Sequence, residues 1–140
     1  MNVIIVGGGK AGAALAAMLI GAGHRVKVIE ARPEHVASLR RELPPDALLH
    51  GSGTDPSVLE LAGIHGAGAV VAVTGADEIN LVVASLARSE FDVPRTIARV
   101  NHPKNAWLFT PEMGVDLALD QADLIARLIA TDLEKPCTAE

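Results

Sequence analysis

Apolar residues fall along this chain in short unbroken runs, each followed by a longer stretch with helical spacing. Val3-Ile4-Ile5-Val6 is the first run. Four consecutive β-branched residues predict a strand buried on both faces, as inside a parallel sheet. A helix is predicted from about Lys10 to Leu19, closed by Gly21 and Gly23. Val26-Lys27-Val28-Ile29 reads as the second strand. Pro33 opens the next helix in its first turn, where a missing N–H costs nothing, and Pro44-Pro45 stops it. Ala47-Leu48-Leu49 predicts a short third strand. Asp55-Pro56 places an N-cap before a first-turn proline, so a third helix starts there and ends near Gly63. Ala69 to Val73 is the fourth strand, and a helix capped by Ala76 or Asp77 runs to about Arg88. Thr96 to Val100 follows as strand five, then a short helix from Lys104 to Phe109. Leu117-Ala118-Leu119 is strand six, and Gln121 to about Leu133 is the last helix.

This alternation predicts βαβ units joined into one α/β domain. The expected fold is Rossmann-like: a doubly wound, parallel, six-stranded sheet of order 3-2-1-4-5-6. It is expected to occupy residues 1–133, with a polar tail over 134–140 whose last few residues are disordered.

Composition narrows the function classes. The 140 residues are 49% hydrophobic but only 2% aromatic, with no Tyr, so the core must be built from Ala, Val, Leu and Ile. Net charge is −5 and no Lys/Arg block occurs, which argues against a nucleic-acid surface. The lone Cys137 excludes an internal disulfide and suits a reducing, cytoplasmic setting. Residues 1–23 are small and apolar, but no basic residue precedes the run and Lys10 interrupts it, so no signal peptide is read. No other stretch approaches the length of a membrane span, and direct insertion is not expected.

The strongest motif is Gly7-Gly8-Gly9-Lys10-Ala11-Gly12, a G-x-G-x-x-G. It directly follows a predicted strand and opens a predicted helix, the context that gives it meaning. Gly7 permits the tight turn, Gly9 lets the backbone approach phosphates, and Gly12 allows close helix–strand packing. The helix N-terminus offers free N–H groups and a positive dipole end. Glu30 ends the second strand, 18 positions after Gly12, close to the spacing of the acidic residue that accepts ribose hydroxyls. Its charge would repel a 2′-phosphate, so NADP is disfavoured; Arg32 nearby pulls the other way, and Ala31 lies between them. In the expected sheet, ligands lie beyond the carboxyl ends of the strands. Gly51-Ser52-Gly53-Thr54 would lie along an adenine, backbone groups of Val73-Thr74-Gly75-Ala76-Asp77 would face ribose and phosphates, and Arg99 would put a cation on the ligand side with Asn101 and His102 behind it. An ordinary loop role stays open for each of these.

Catalysis finds little support. The five histidines are scattered without metal-ligand spacing, and no nucleophile–base arrangement emerges, so no catalytic or metal residue is assigned. A dinucleotide-dependent dehydrogenase would also need a second, substrate-bearing domain. A small NAD-dependent oxidoreductase, or a fragment of one, is the alternative reading; a sensor of the NADH/NAD ratio is a third.

Three later segments carry a more specific signal: GSGTDPSVLELAGI (51–64), VVAVTGADEINLVVASLAR (70–88) and IARVNHP (97–103). With the glycine turn, they resemble the nucleotide-binding N-lobe (RCK/KTN) of the Trk/Ktr potassium-uptake regulators and of potassium-channel RCK domains. The resemblance covers about residues 1–133. It implies a non-enzymatic domain that binds NAD(H), ATP, ADP or AMP and controls a membrane potassium transporter or channel subunit from the inner face of the membrane. By the same resemblance Gly7 to Ala11 would hold phosphates, Glu30 the adenosine ribose, and Ser52 would lie beside the adenine. Val73, Thr74 and Arg99 would complete the cleft, and Lys10 would reach a terminal phosphate. The family pairs as homodimers or larger rings, and Ala106-Trp107-Leu108-Phe109 suits such a contact, although a sheet-edge role for Trp107 stays open. Many relatives carry an acidic residue where Ser52 stands. They usually continue into a second lobe, whose contacts fall outside this chain.

Overall fold

A computed structural model describes residues 1–137. The remainder of the expected disordered tail, residues 138–140, lies outside the described residues. The strands are β1 (Asn2–Val6), β2 (Arg25–Glu30), β3 (Leu48–His50), β4 (Ala69–Ala72), β5 (Thr96–Val100) and β6 (Leu117–Asp120). They form one sheet of order β3-β2-β1-β4-β5-β6, and every pair is parallel. The helices are α1 (Lys10–Gly21), α2 (Pro33–Glu42), α3 (Pro56–Leu61), α4 (Asp77–Ser89) and α5 (Gln121–Leu133). This is the Rossmann-like, doubly wound architecture expected from the alternation of strand and helix patterns.

The period of two along each strand sorts the apolar side chains into two layers. Val3, Ile5, Val28 and Val71 pack on one face with Ala16 of α1 and Leu39 of α2. Ile4, Val6, Ile29, Val70 and Ala72 pack on the other with Leu59 of α3 and Val83, Ala84 and Ala87 of α4. With so few aromatics, layer spacing is set by Ala and Val, and the helices sit close to the sheet.

Local differences from the expected elements have simple causes. Pro45–Ala47 forms a 3₁₀ turn that buries Ala47, so β3 starts one residue later, at Leu48. Val73 lies beyond the end of β4, although its N–H still donates to the Val6 carbonyl at 2.9 Å. Ala76 is the N-cap of α4, which leaves Asp77 as its first residue. After β5 the chain forms two 3₁₀ turns, Pro103–Leu108 and Pro111–Met113. In the Ala106–Phe109 run Phe109 is buried in the core and Ala106 and Leu108 pack against it half-buried, while Trp107 stands in solvent, 74% exposed. Helix α5 buries none of its residues, and Leu124, Ile125, Leu128 and Ile129 all face solvent.

The parallel strands bring every β-to-α turn to one edge of the sheet. At that edge α1 crosses β1 so closely that a Cβ on Gly12 would stand 1.8 Å from the Gly7 carbonyl oxygen. Backbone cannot yield as a flexible side chain can. Gly12→Ala is expected to destabilise the domain by about 3 kcal/mol or to prevent folding. Urea denaturation checks this, and an unchanged midpoint would contradict the packing.

Candidate functional site

The carboxyl edge of the sheet carries a cleft of about 340 Å³ between the turns after β1, β2, β3 and β4. Gly7, Glu30, Ala31, Arg32, Gly51, Ser52, Thr74 and Gly75 line it, with Val6, Ile29 and Ile79 as its apolar part. The turn after β1 is held by its own geometry. Gly7 has φ +114°, and a Cβ there would stand 2.9 Å from the Thr74 nitrogen, so only glycine fits. By contrast, a Cβ on Gly9 would meet nothing nearer than His35 Cε1 at 3.9 Å. Gly9 is the N-cap of α1 and supplies no side-chain cap, so the first amides of the helix lack intrahelical acceptors. Those amides and the dipole end favour an anion.

Glu30 sits at the cleft floor, 4% exposed. Its Oε1 accepts the Gly8 N–H at 2.7 Å and its Oε2 accepts the Arg32 N–H at 2.8 Å. The Arg32 guanidinium lies looser, with Nε at 3.4 Å and Nη2 at 3.5 Å, on a half-exposed side chain. Burial alone would raise the carboxyl's pKa; the Arg32 and Gly8 amides, helped by the Arg32 side chain, outweigh it and hold Glu30 below its ordinary range. A carboxylate has about four acceptor positions, so two backbone donors leave room for two more. A vicinal diol supplies two such donors.

The opposite wall is fixed from behind. Asn80, fully buried, accepts the Thr74 N–H at 2.9 Å and hydroxyl at 2.7 Å, and donates to the Thr74 carbonyl at 3.0 Å. Arg99 Nη2 and Asn101 Nδ2 donate to the same carbonyl, each at 3.0 Å. Asp77 anchors the loop after β5 by accepting from the Asn101 and His102 amides at 2.6 and 2.9 Å and from Asn105 Nδ2 at 2.9 Å. Burial raises the Asp77 pKa, but these donors prevail and hold it low.

The expected site residues therefore divide. Gly8, Gly9 and Lys10 border a second groove of about 520 Å³ between α1 and α2, on the other flank of the glycine turn. Ala11 is exposed beside it, and Gly12 is buried under the turn. Val73 joins the core and does not line the cleft. Nor does Arg99, whose guanidinium turns to the Thr74 carbonyl behind the wall. The Ser52 hydroxyl is engaged with Thr54 Oγ1 at 2.7 Å. Sequence reasoning missed Asn80, and placed Asp77 only as a helix cap and in the loop after the fourth strand, without its hold on the loop after β5. A signal for Asn80 existed: it shares a face with Val83, Ala84 and Ala87, at i, i+3, i+4 and i+7, where an apolar residue is the norm. Among the described residues no group of His, Cys, Asp and Glu could hold a metal ion.

A Rossmann-type domain with a glycine turn at a helix N-terminus and an acidic residue ending β2 is thus the class that fold and site define. The model of the TrkA-N domain family matches residues 3–121, and the chain belongs to that family. It is 37% identical over 129 residues to the Trk system potassium uptake protein TrkA of Mycobacterium tuberculosis H37Rv, covering 92% of this chain and 58% of the relative. It is 38% identical over 141 residues to the TrkA homolog of Methanothermobacter thermautotrophicus, covering 100% of this chain and 63% of that protein. The chain thus spans about three fifths of the length of these relatives. Among solved structures, the TrkA-N domain of the Escherichia coli inner membrane protein ybaL superposes with TM-score 0.81 at 22% identity, over 95% of this chain and 96% of that one. The NAD(P)-binding domain of an exopolyphosphatase-related protein from Archaeoglobus fulgidus gives 0.80 at 28%, over 96% and 98%. The GsuK channel bound to NAD gives 0.78 at 24%, over 95% of this chain and 23% of the channel.

The pH dependence of the Glu30 tie has a definite sign. Its folded pKa lies below the ordinary 4.5, so the unfolded chain takes up the proton first. The stability it confers is complete above that value and drains as pH falls toward the folded pKa. The stability difference between wild type and Glu30→Gln should be constant above about pH 5.5 and shrink below about pH 4.5. Urea midpoints across pH 3.5–7 check this; a pH-independent difference would contradict it.

Proposed function

We propose that this chain is the nucleotide-sensing domain of a potassium-transport regulator, binding NAD(H) or ATP, ADP or AMP in the cleft beside the glycine turn. The observation that carries the reading is the Glu30 carboxylate. It is held ionised at the cleft floor by two backbone amides, with acceptor capacity left over, next to an uncapped helix N-terminus. An adenosine ribose would donate its two hydroxyls to Glu30, displacing the loosely held Arg32 guanidinium. The phosphates would follow the amides of Gly9, Lys10, Ala11 and Gly12, with the exposed Lys10 ammonium available to a terminal phosphate. The adenine would lie against Gly51, Ser52 and Gly53. The Glu30 charge disfavours a 2′-phosphate, so NADP is expected to bind poorly.

The wider role draws on the relatives. Two of them are named as Trk potassium uptake proteins, and a channel of similar fold holds NAD. In this reading the domain is a sensor rather than an enzyme. It assembles as a homodimer or a larger homo-oligomer, lies at the cytoplasmic face of the membrane, and acts on a potassium transporter or channel subunit. Ligand would shift the assembly by binding one arrangement better than another. No helix among the described residues is long and apolar enough to cross a membrane.

The test is calorimetric titration of wild type and Gly9→Ala with ATP, ADP, AMP, NAD, NADH and NADPH. Wild type should bind an adenosine ligand in the micromolar range without turning it over. Gly9→Ala, whose methyl meets no protein atom closer than 3.9 Å, should keep its stability to within about 1 kcal/mol. It should nevertheless bind at least about tenfold more weakly, because that methyl enters the phosphate path. Wild-type affinity in the variant would remove the phosphates from this turn, and hydride transfer to a substrate would favour the oxidoreductase reading.

A further inference from the structure

Asn80 is a fully buried polar side chain whose partners all lie within the protein. A primary amide offers two donor hydrogens and two acceptor positions, and Asn80 uses all of them inside the protein. Oδ1 takes the N–H and the hydroxyl of Thr74; Nδ2 gives one hydrogen to the Thr74 carbonyl at 3.0 Å and the other to the Arg99 carbonyl at 2.9 Å. Three of these four bonds therefore converge on one residue, and that residue lines the cleft.

The placement is costly for a purely structural residue. Asn80 lies on the apolar face of α4 with Val83, Ala84 and Ala87, where an aliphatic side chain would bury itself without any need for partners. The amide instead fixes the direction of every polar group of Thr74. The Arg99 guanidinium and Asn101 Nδ2 reinforce this by donating to the same Thr74 carbonyl. With Thr74 turned inward, Gly75 is the next residue on the wall. Its N–H makes no hydrogen bond with any described residue, and a Cβ there would meet nothing within 4 Å. The wall thus carries an amide without a partner among the described residues, in the cleft that Glu30 also lines.

We propose that Asn80 is the positioning residue of the nucleotide cleft. It never touches the ligand, but by clamping Thr74 it sets the Gly75 amide and the width of the cleft before a ligand arrives. A preset wall spares the ligand the cost of ordering a loop, so losing the clamp lowers affinity. The inference rests on the reading of this cleft as a nucleotide site, and the experiment separates the two.

The experiment compares wild type, Asn80→Leu and Val83→Ala. Each is assayed by urea denaturation for stability and by calorimetry for ADP and NAD affinity. Val83 lies on the same face of α4, is fully buried, and makes no hydrogen bond to Thr74 through its side chain. Asn80→Leu should bind the nucleotide at least tenfold more weakly, while Val83→Ala binds as wild type despite a comparable or larger loss of stability. Wild-type affinity in a folded Asn80→Leu, or equal weakening in both variants, overturns the role of Asn80 and leaves the nucleotide site standing. Failure of wild type itself to bind ADP or NAD overturns both. If Asn80→Leu does not fold, Asn80→Ala replaces it under the same criteria. Amide exchange at Thr74, whose N–H donates to Asn80 Oδ1 at 2.9 Å, adds a local readout: it should quicken in the Asn80 variant beyond the change in global stability, and should follow global stability alone in Val83→Ala.

Discussion

Helix α1 can begin where it does only because nothing larger than hydrogen stands between Gly12 and the Gly7 carbonyl. That contact fixes the distance between the end of β1 and the first turn of α1. It thereby fixes the direction in which the free amides of the helix point. Gly7, at positive φ against the Thr74 backbone, turns the chain within that space. The Gly8 amide is then in place to donate to Glu30 at the end of β2. One steric constraint thus aligns a helix terminus, a turn and a carboxylate belonging to three successive elements. The ligand side of the cleft follows from that alignment.

The facing wall is built by different physics. Beyond the contact of Gly7 with the Thr74 backbone, it is held by a buried hydrogen-bond network from Asp77 and Asn80 of α4 to the loops after β4 and β5. Buried polar groups of this kind are worth having only when every member is satisfied. Asn80 meets that condition in full, and the Asp77 carboxylate takes donors from Asn101, His102 and Asn105; among the described residues only the buried Arg99 Nε of this network has no partner. The domain therefore carries a cleft whose two sides are held by different means, one by glycine sterics and one by an amide clamp. The exposed apolar residues of α5 and Trp107 lie well away from it, on the β6 side of the sheet.

Much of this was legible in the chain itself. Val3–Val6 and Ala69–Val73 are apolar on both faces, so the two central strands announce themselves, and the order of the sheet follows from the βαβ repeat. Gly7–Gly12 and Glu30 are local signals whose meaning depends only on a strand and a helix in the right places. Arg99 was less readable. Its place at the end of β5 is set by pattern, but its guanidinium follows the Thr74 carbonyl, an acceptor 25 positions earlier that no local pattern exposes. Ser52 likewise turns to Thr54 in its own loop. Helix α5 has the spacing of an amphipathic helix, a pattern that predicts a partner for its apolar face without saying which surface supplies it. Among the described residues none does.

The central claim is that an adenosine ligand lies against Glu30 with its phosphates on the glycine turn. The most direct measurement is amide chemical-shift mapping of the isotopically labelled chain during titration with ADP and with NAD. The account predicts that the largest changes fall on Gly8, Gly9, Lys10, Ala11 and Gly12, with Ala31, Ser52 and Gly75 next. A different outcome would contradict it: changes centred on His24, Arg25 and Lys27, which border a hollow of about 610 Å³ at the opposite edge of the sheet, or no changes with either ligand.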